Sequence, residues 1–110
     1  MSLLSSRSNI NNSKLYFSKS ELSKILKCYS YGVSKGNWKD YAIDFSKNEA
    51  IFLIYKHSYA TPDCILSKLK ERKKQQITYK LSISNKRYIN FSNIDELISS
   101  LKRKYIKVIR

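Results

Sequence analysis

The chain has few of the residue types from which metal and catalytic sites are built. Its 110 residues include one histidine, two cysteines and two glycines. A metal site needs several His, Cys or carboxylate side chains at ligand spacing, and His57, Cys28 and Cys64 are too few and too scattered to supply one. Two isolated glycines give no glycine-rich loop to cradle phosphates. The sequence therefore predicts no metal and no cofactor, and it shows no small-molecule site.

Long apolar runs are also missing. No stretch approaches the ~18 apolar residues that a membrane span requires. The N-terminus shows no basic segment followed by an apolar run, the pattern of a signal peptide. We therefore expect a cytoplasmic protein that makes no membrane contact, with both cysteines present as reduced thiols.

Two arrangements come closest to catalytic pairs. Cys64 follows His57 by a few residues, but a cysteine at the start of a strand is more simply a small core residue. Asp40 and Asp44 share one strand face about 13 Å apart, too far for joint acid–base work. We therefore expect a protein that is not an enzyme.

Acidic residues are scarce. Eight Asp and Glu stand against 22 Lys and Arg, a net charge of +14. From Leu66 onward there are thirteen basic and three acidic residues, which favours an anionic partner for the C-terminal half. The alternative explanation for the positive charge is the base composition of the genome, because AT-rich codons favour lysine at surface positions that tolerate any polar residue. Lysine outnumbers arginine seventeen to five, as this explanation requires.

The basic residues fall into one group around a hairpin and another on the last helix. The candidate nucleic-acid contacts are Lys68, Lys70, Arg72, Lys73, Lys74, Lys102, Arg103, Lys104 and Lys107. Cationic surfaces with interspersed aromatic residues bind the backbone of DNA or RNA and stack its bases. Both groups also have a structural explanation. Charged residues at a hairpin tip discourage aggregation, and basic residues interact favourably with the C-terminal end of a helix dipole.

Hydrophobic periodicity predicts a helix at each end of the chain. The first begins at Ser18, with Glu21 completing a capping box, and ends at Gly36. Its apolar face comprises Leu22, Ile25, Leu26, Tyr29 and Val33. The second begins at Ser92 or Asn93 and repeats the same spacing.

Five strands are predicted between the helices, over 41–45, 50–55, 64–70, 77–84 and 87–91. Their short connections favour an antiparallel meander. The expected fold is α+β, a five-stranded antiparallel meander sheet with one N-terminal and one C-terminal helix. It forms a single domain over 14–110, preceded by a disordered tail over 1–13.

Residues 50–55, AIFLIY, are apolar on both faces of their strand. Helices on one face of an antiparallel sheet leave the other face wet. Either the two helices cover opposite faces, or the second face meets a protein partner or a second copy of the chain.

The stretch GNWKDYAIDF, residues 36–45, carries the only tryptophan. One interpretation is a helix-to-strand corner, in which Trp38 folds back onto Tyr29 and Val33 and Asp40 binds turn amides. The alternative is a partner-binding surface formed by Trp38, Lys39, Asp40 and Tyr41.

This same region resembles a known family. The run Trp38-Lys39-Asp40-Tyr41-Ala42-Ile43-Asp44, after a helix ending in glycine, is similar to the core of the alphaproteobacterial proteins grouped as domain of unknown function 2794. The resemblance is clearest over 17–58 and weaker up to Leu101. Asn37 and Lys39 depart from the family, which tends to have Glu and Arg there. The resemblance implies a small cytoplasmic bacterial protein and supplies no activity.

Overall fold

Seven elements follow one another in the computed structural model, which describes residues 13–57 and 61–105. They are α1 (Lys19–Ser34), β1 (Asp40–Phe45), β2 (Glu49–Tyr55), β3 (Cys64–Lys70), β4 (Ile77–Ile83), β5 (Ile89–Phe91) and α2 (Ile94–Tyr105). The strands form one sheet in the order of the chain, and every neighbouring pair is antiparallel. The predicted α+β meander is confirmed. Apart from residue 13, the predicted tail lies outside the described residues.

Both helices begin at the predicted caps. The Glu21 N–H donates to Ser18 Oγ at 3.0 Å and the Ser18 N–H to Glu21 Oε1 at 2.8 Å, so the capping box is complete. In α2 the Glu96 N–H donates to Asn93 Oδ1 at 2.9 Å. Gly36 follows α1 with a φ of 81°, the left-handed conformation that glycine adopts freely. None of the helices in these ranges is long and apolar enough to cross a membrane.

The two helices cover the same face of the sheet. Phe52, Leu66 and Leu81 are paired neighbours on β2, β3 and β4, and none of them is exposed. They share one core with the buried residues of both helices, Ile25, Cys28, Ile94, Leu97, Ile98 and Leu101. The helices therefore do not lie on opposite faces, the first of the two arrangements that the sequence allowed. The outward residues of β2 stay partly exposed.

Trp38 closes the core where α1 turns into β1. Its indole is 2% exposed, lies parallel to Tyr29 at 6.2 Å between ring centroids, and donates from Nε1 to Asp63 Oδ2 at 3.2 Å. The expectation that Val33 faces the indole is wrong, because Val33 is 40% exposed. Gly32 lies there instead, since the indole occupies the space that a Cβ would need.

Asp40 was also misassigned. Its carboxylate accepts from the N–H of the next residue, Tyr41, at 2.8 Å, rather than from amides near Gly36. The carboxylate lies on β1, beyond the turn, so it supports the strand instead of the corner.

We expect Gly32→Ala to destabilise the fold. Alanine normally favours a helix over glycine by up to about 1 kcal/mol, but here its Cβ would overlap the ring of Trp38. Overpacking of this kind costs about 1–3 kcal/mol. Urea denaturation should show the lower free energy of unfolding. The control is Ser30→Ala, at an exposed position of the same helix, and we expect its free energy of unfolding to lie within about 0.5 kcal/mol of that of the parent. A Gly32→Ala protein as stable as the parent would contradict the placement of the indole.

Candidate nucleic-acid interface

Lys68 does not lie on the surface expected for it. The residue is 9% exposed, and its ammonium group is 2.8 Å from Glu21 Oε1 and 2.9 Å from the carbonyl oxygen of Tyr16. Tyr79, paired with Lys68 across the sheet, donates to the other oxygen of Glu21. Lys68 therefore joins the start of α1 to the inner strands β3 and β4, and its charge is not free for a ligand.

The carboxylate of Glu21 accepts hydrogen bonds from Lys68, from Tyr79 and from the N–H of Ser18. Burial raises the pKa of its carboxyl group, but the hydrogen bonds from Lys68, Tyr79 and Ser18 outweigh burial and hold the pKa below its usual range. A carboxyl whose pKa is lower in the folded than in the unfolded state stabilises the fold at neutral pH. That stabilisation is lost as the pH falls through the folded-state pKa.

We expect Glu21→Gln to destabilise the protein at pH 7 by about 3–5 kcal/mol, because the ammonium of Lys68 is left buried without its charged partner. The difference between parent and variant should shrink as the pH falls below about 4.3, where glutamates ordinarily protonate. Urea denaturation at several pH values measures it, with exposed Glu96→Gln as control. A difference that does not change with pH would contradict the ion pair.

The two basic groups lie at opposite ends of the sheet. The connection 71–76 joins β3 to β4, and the connection 84–88 leaves the other end of β4. The C-terminal end of α2 lies at that second end, because the Tyr105 hydroxyl donates to Asp63 Oδ2 at 2.6 Å and the Ser84 N–H donates to Asp63 O at 2.7 Å. The seven residues of β4 separate the groups by about 20 Å, so one phosphate cannot contact both.

A cationic cavity of about 330 Å³ opens between α2 and the turn 84–88, and we call it the α2 cavity. Its lining residues are Ile83, Ser84, Lys86, Arg87, Ile89, Ser100, Arg103 and Lys104. Four of these eight residues are basic and none is acidic. Arg103 and Lys104 were predicted contacts, whereas Lys86 and Arg87 were not.

The turn that carries Lys86 and Arg87 is held in place. Ser84 and Asn85 adopt left-handed φ values of 54° and 63°. The Ser82 hydroxyl donates to Lys86 O at 2.6 Å, and the Lys86 N–H donates to Ile83 O at 3.1 Å. Arg87 was expected in the last strand but lies before β5, which begins at Ile89. These hydrogen bonds therefore hold the backbone of the turn beside α2, where its two basic residues line the cavity.

The other predicted contacts are distributed around the molecule. Arg72, Lys73 and Lys74 are exposed in the connection 71–76. Lys70 and Arg72 line a separate cavity of about 400 Å³ with Lys14 and Lys47. Lys102 lines a third cavity, between the two helices. Lys107 lies outside the described residues.

Of the three tyrosines near the basic groups, only Tyr88 is available for stacking. Tyr88 is 47% exposed and follows Arg87 in the chain. Tyr79 is 8% exposed and hydrogen-bonded to Glu21. Tyr105 packs edge-on against Trp38 with 5.0 Å between ring centroids.

The cysteines are buried and free. Burial raises the pKa of the Cys64 thiol to about 12, and burial also raises that of Cys28. A thiol must ionise to act as a nucleophile or metal ligand, so neither is poised for that chemistry. No cluster of three or more His, Cys, Asp or Glu suited to a metal ion occurs in 13–57 and 61–105.

Sequence reasoning missed Lys86, Arg87 and Asp63. The first two were assigned to a turn and to a strand, and Asp63 to a loop. Their roles depend on contacts between residues that are distant in the sequence. The helix α2 returns along the sheet, and its last turn lies beside Asp63 and beside the turn 84–88. The pair Lys86-Arg87 before a short strand was the only signal in the sequence.

Comparison with known proteins gives one similarity. The model of the family described as Protein of unknown function (DUF2794) matches residues 15–92. Searches of curated proteins and of solved structures found no significant match. The matched range includes α1, the Trp38 corner, all five strands and the turn 84–88.

Proposed function

We propose that this chain, which belongs to the DUF2794 family of proteins of unknown function, is a non-catalytic nucleic-acid-binding protein that holds backbone phosphates in the α2 cavity. A cytoplasmic location, expected from the sequence, is part of the same proposal. The observation that carries it is the convergence of four basic side chains, from two separate elements, on a cavity without an acidic lining residue.

Arginine and lysine contribute differently to such a site. The planar guanidinium groups of Arg87 and Arg103 can each donate two parallel hydrogen bonds to a phosphate, whereas Lys86 and Lys104 act as point charges. Neutralising backbone phosphates releases their condensed counterions. The cavity is therefore suited to bind a phosphate and to lose affinity as salt rises.

Tyr88 adds a base-stacking surface beside the cavity. An exposed aromatic ring next to phosphate-binding arginines can stack on any base, because every base has a π face. No set of amide or carboxylate side chains lines the cavity to read base edges. We therefore propose binding with weak sequence preference, and with unpaired bases available for stacking.

The alternative from the sequence was a protein-interaction or regulatory subunit that docks through Trp38 or the strand 50–55. Trp38 is buried and hydrogen-bonded, so it offers no anchor to a partner. Lys39, Asp40 and Tyr41 are exposed, but the aromatic ring among them, that of Tyr41, already packs on Phe52 with 4.9 Å between ring centroids and so is less available as an anchor. The outward residues of β2 are a separate surface.

We expect the double change Arg87→Gln and Arg103→Gln to weaken binding to DNA and RNA oligomers of every sequence. It should reduce the slope of log affinity against log salt by about 1 per lost phosphate contact, hence by about 2. Fluorescence anisotropy at several salt concentrations measures both quantities.

The matched control is the double change Arg72→Gln and Lys73→Gln, which removes the same charge from the opposite end of the sheet. We expect it to change affinity and slope much less. Equal losses in the two doubles would mean that affinity follows net charge rather than this cavity. Absence of binding by the parent at ~50 mM salt, where electrostatic binding should be strong, would refute the proposal.

A further inference from the structure

The sheet face opposite the helices is open and has an apolar centre. The side chains that point away from the core on β1, β2 and β3 include Ala42, Ile51, Leu53, Tyr55, Ile65 and Leu69. All six are partly exposed. Neither helix covers them within the described ranges, because both helices pack on the other face. Contiguous exposed apolar surface is one mark of an interaction site.

The charges on this open face differ from those of the rest of the molecule. Asp40 and Asp44 of β1 and Glu49 of β2 lie along one side of the apolar centre, and Lys80 of β4 lies on the other side. Three of the eight acidic residues of a chain with net charge +14 are thus on this face. The acidic residues make this face unsuitable for nucleic acid. A protein surface that carries charges of both signs would complement it.

The register places opposite charges in one row. Asp44 pairs with Ile51, Ile51 with Ser67, and Ser67 with Lys80, so these four residues cross the sheet side by side. Asp44 and Lys80 are three strand spacings apart, about 14 Å, too far for an ion pair within one chain. Neither forms a salt bridge within the described part of the chain, but each could find an oppositely charged partner on a second copy.

A two-fold axis parallel to the strands, between β2 and β3, matches these rows. It places β1 of one copy over β4 of the other, and β2 over β3. Leu53 then faces Ile65 at the centre, and Asp44 faces Lys80 on each side, because the rotation keeps every residue in its row. Aligned sheets pack about 10 Å apart and cross at about 30°, a separation that a lysine and an aspartate side chain bridge together.

We infer that the open face is the isologous interface of a homodimer, in which Asp44 of each copy pairs with Lys80 of the other. The apolar centre provides the buried area, and the two symmetry-related ion pairs set the orientation. A two-fold axis perpendicular to the strands would instead place the acidic residues of β1 against their own copies. The interface does not depend on the proposed nucleic-acid function.

Charge reversal tests the pairing. We expect the parent to sediment as a dimer of twice 12.9 kDa. D44K and K80D, each alone, should raise the dimer Kd by about tenfold or more, because each places two like-charge pairs in the interface. The double variant D44K/K80D should dimerise again. An equimolar mixture of the two single variants should form heterodimers, since both pairs are then restored.

The controls make the same charge changes away from the face. Glu71→Lys and Lys73→Asp lie in the exposed connection 71–76 and should dimerise as the parent does, and circular dichroism should show that all variants are folded. A monomeric parent at ~100 μM overturns the inference, since specific interfaces of standard size have dissociation constants in the micromolar range or below. Single variants that dimerise normally, or a mixture that stays monomeric, overturn it as well.

Discussion

Both helices pack on one face of a five-stranded meander, and most other features follow from this arrangement. The core has a single apolar layer between helices and sheet, in which Phe52, Leu66 and Leu81 meet residues of α1 and α2. Two clusters of polar side chains hold this layer in place. Glu21 binds Lys68 and Tyr79 at one end of the sheet, and Asp63 binds Trp38 and Tyr105 at the other. The Asp63 cluster also positions the end of α2 beside the turn 84–88.

The same arrangement separates the charged surfaces. Arg103 and Lys104 of α2 line one cavity with the basic residues of the turn 84–88 at one end of the sheet, while acidic residues of β1 and β2 lie on the open face. The proposed phosphate binding and the proposed self-association therefore use different surfaces of one small chain. A two-fold axis parallel to the strands would direct the α2 cavities of both copies toward the same end, where one nucleic-acid strand could contact both and bind more tightly through avidity.

Local sequence patterns predicted the helices and strands well. They predicted less well which residues of each element are buried and which are exposed. The capping box at Ser18, the glycine after α1 and the alternation of 77–83 depend on neighbouring residues, and all three were readable. Lys68 was misassigned because its burial depends on a carboxylate from α1, far away in the sequence. Val33 was misassigned because the indole of Trp38 packs against Gly32, the preceding residue, which has no side chain to exclude it. The α2 cavity was only half predicted, since Lys86 and Arg87 join Arg103 and Lys104 only when the chain returns along the sheet.

The central claim is that one end of the sheet binds nucleic-acid phosphates, and amide chemical shifts during titration with a short single-stranded oligonucleotide test it most directly. We expect the largest shift changes in 84–88 and 100–105, in a salt-dependent manner. We expect little change in 71–76 and on the open face of β2 and β3. The largest changes in 71–76 or on the open face, or shifts spread evenly over the basic residues, would contradict the account.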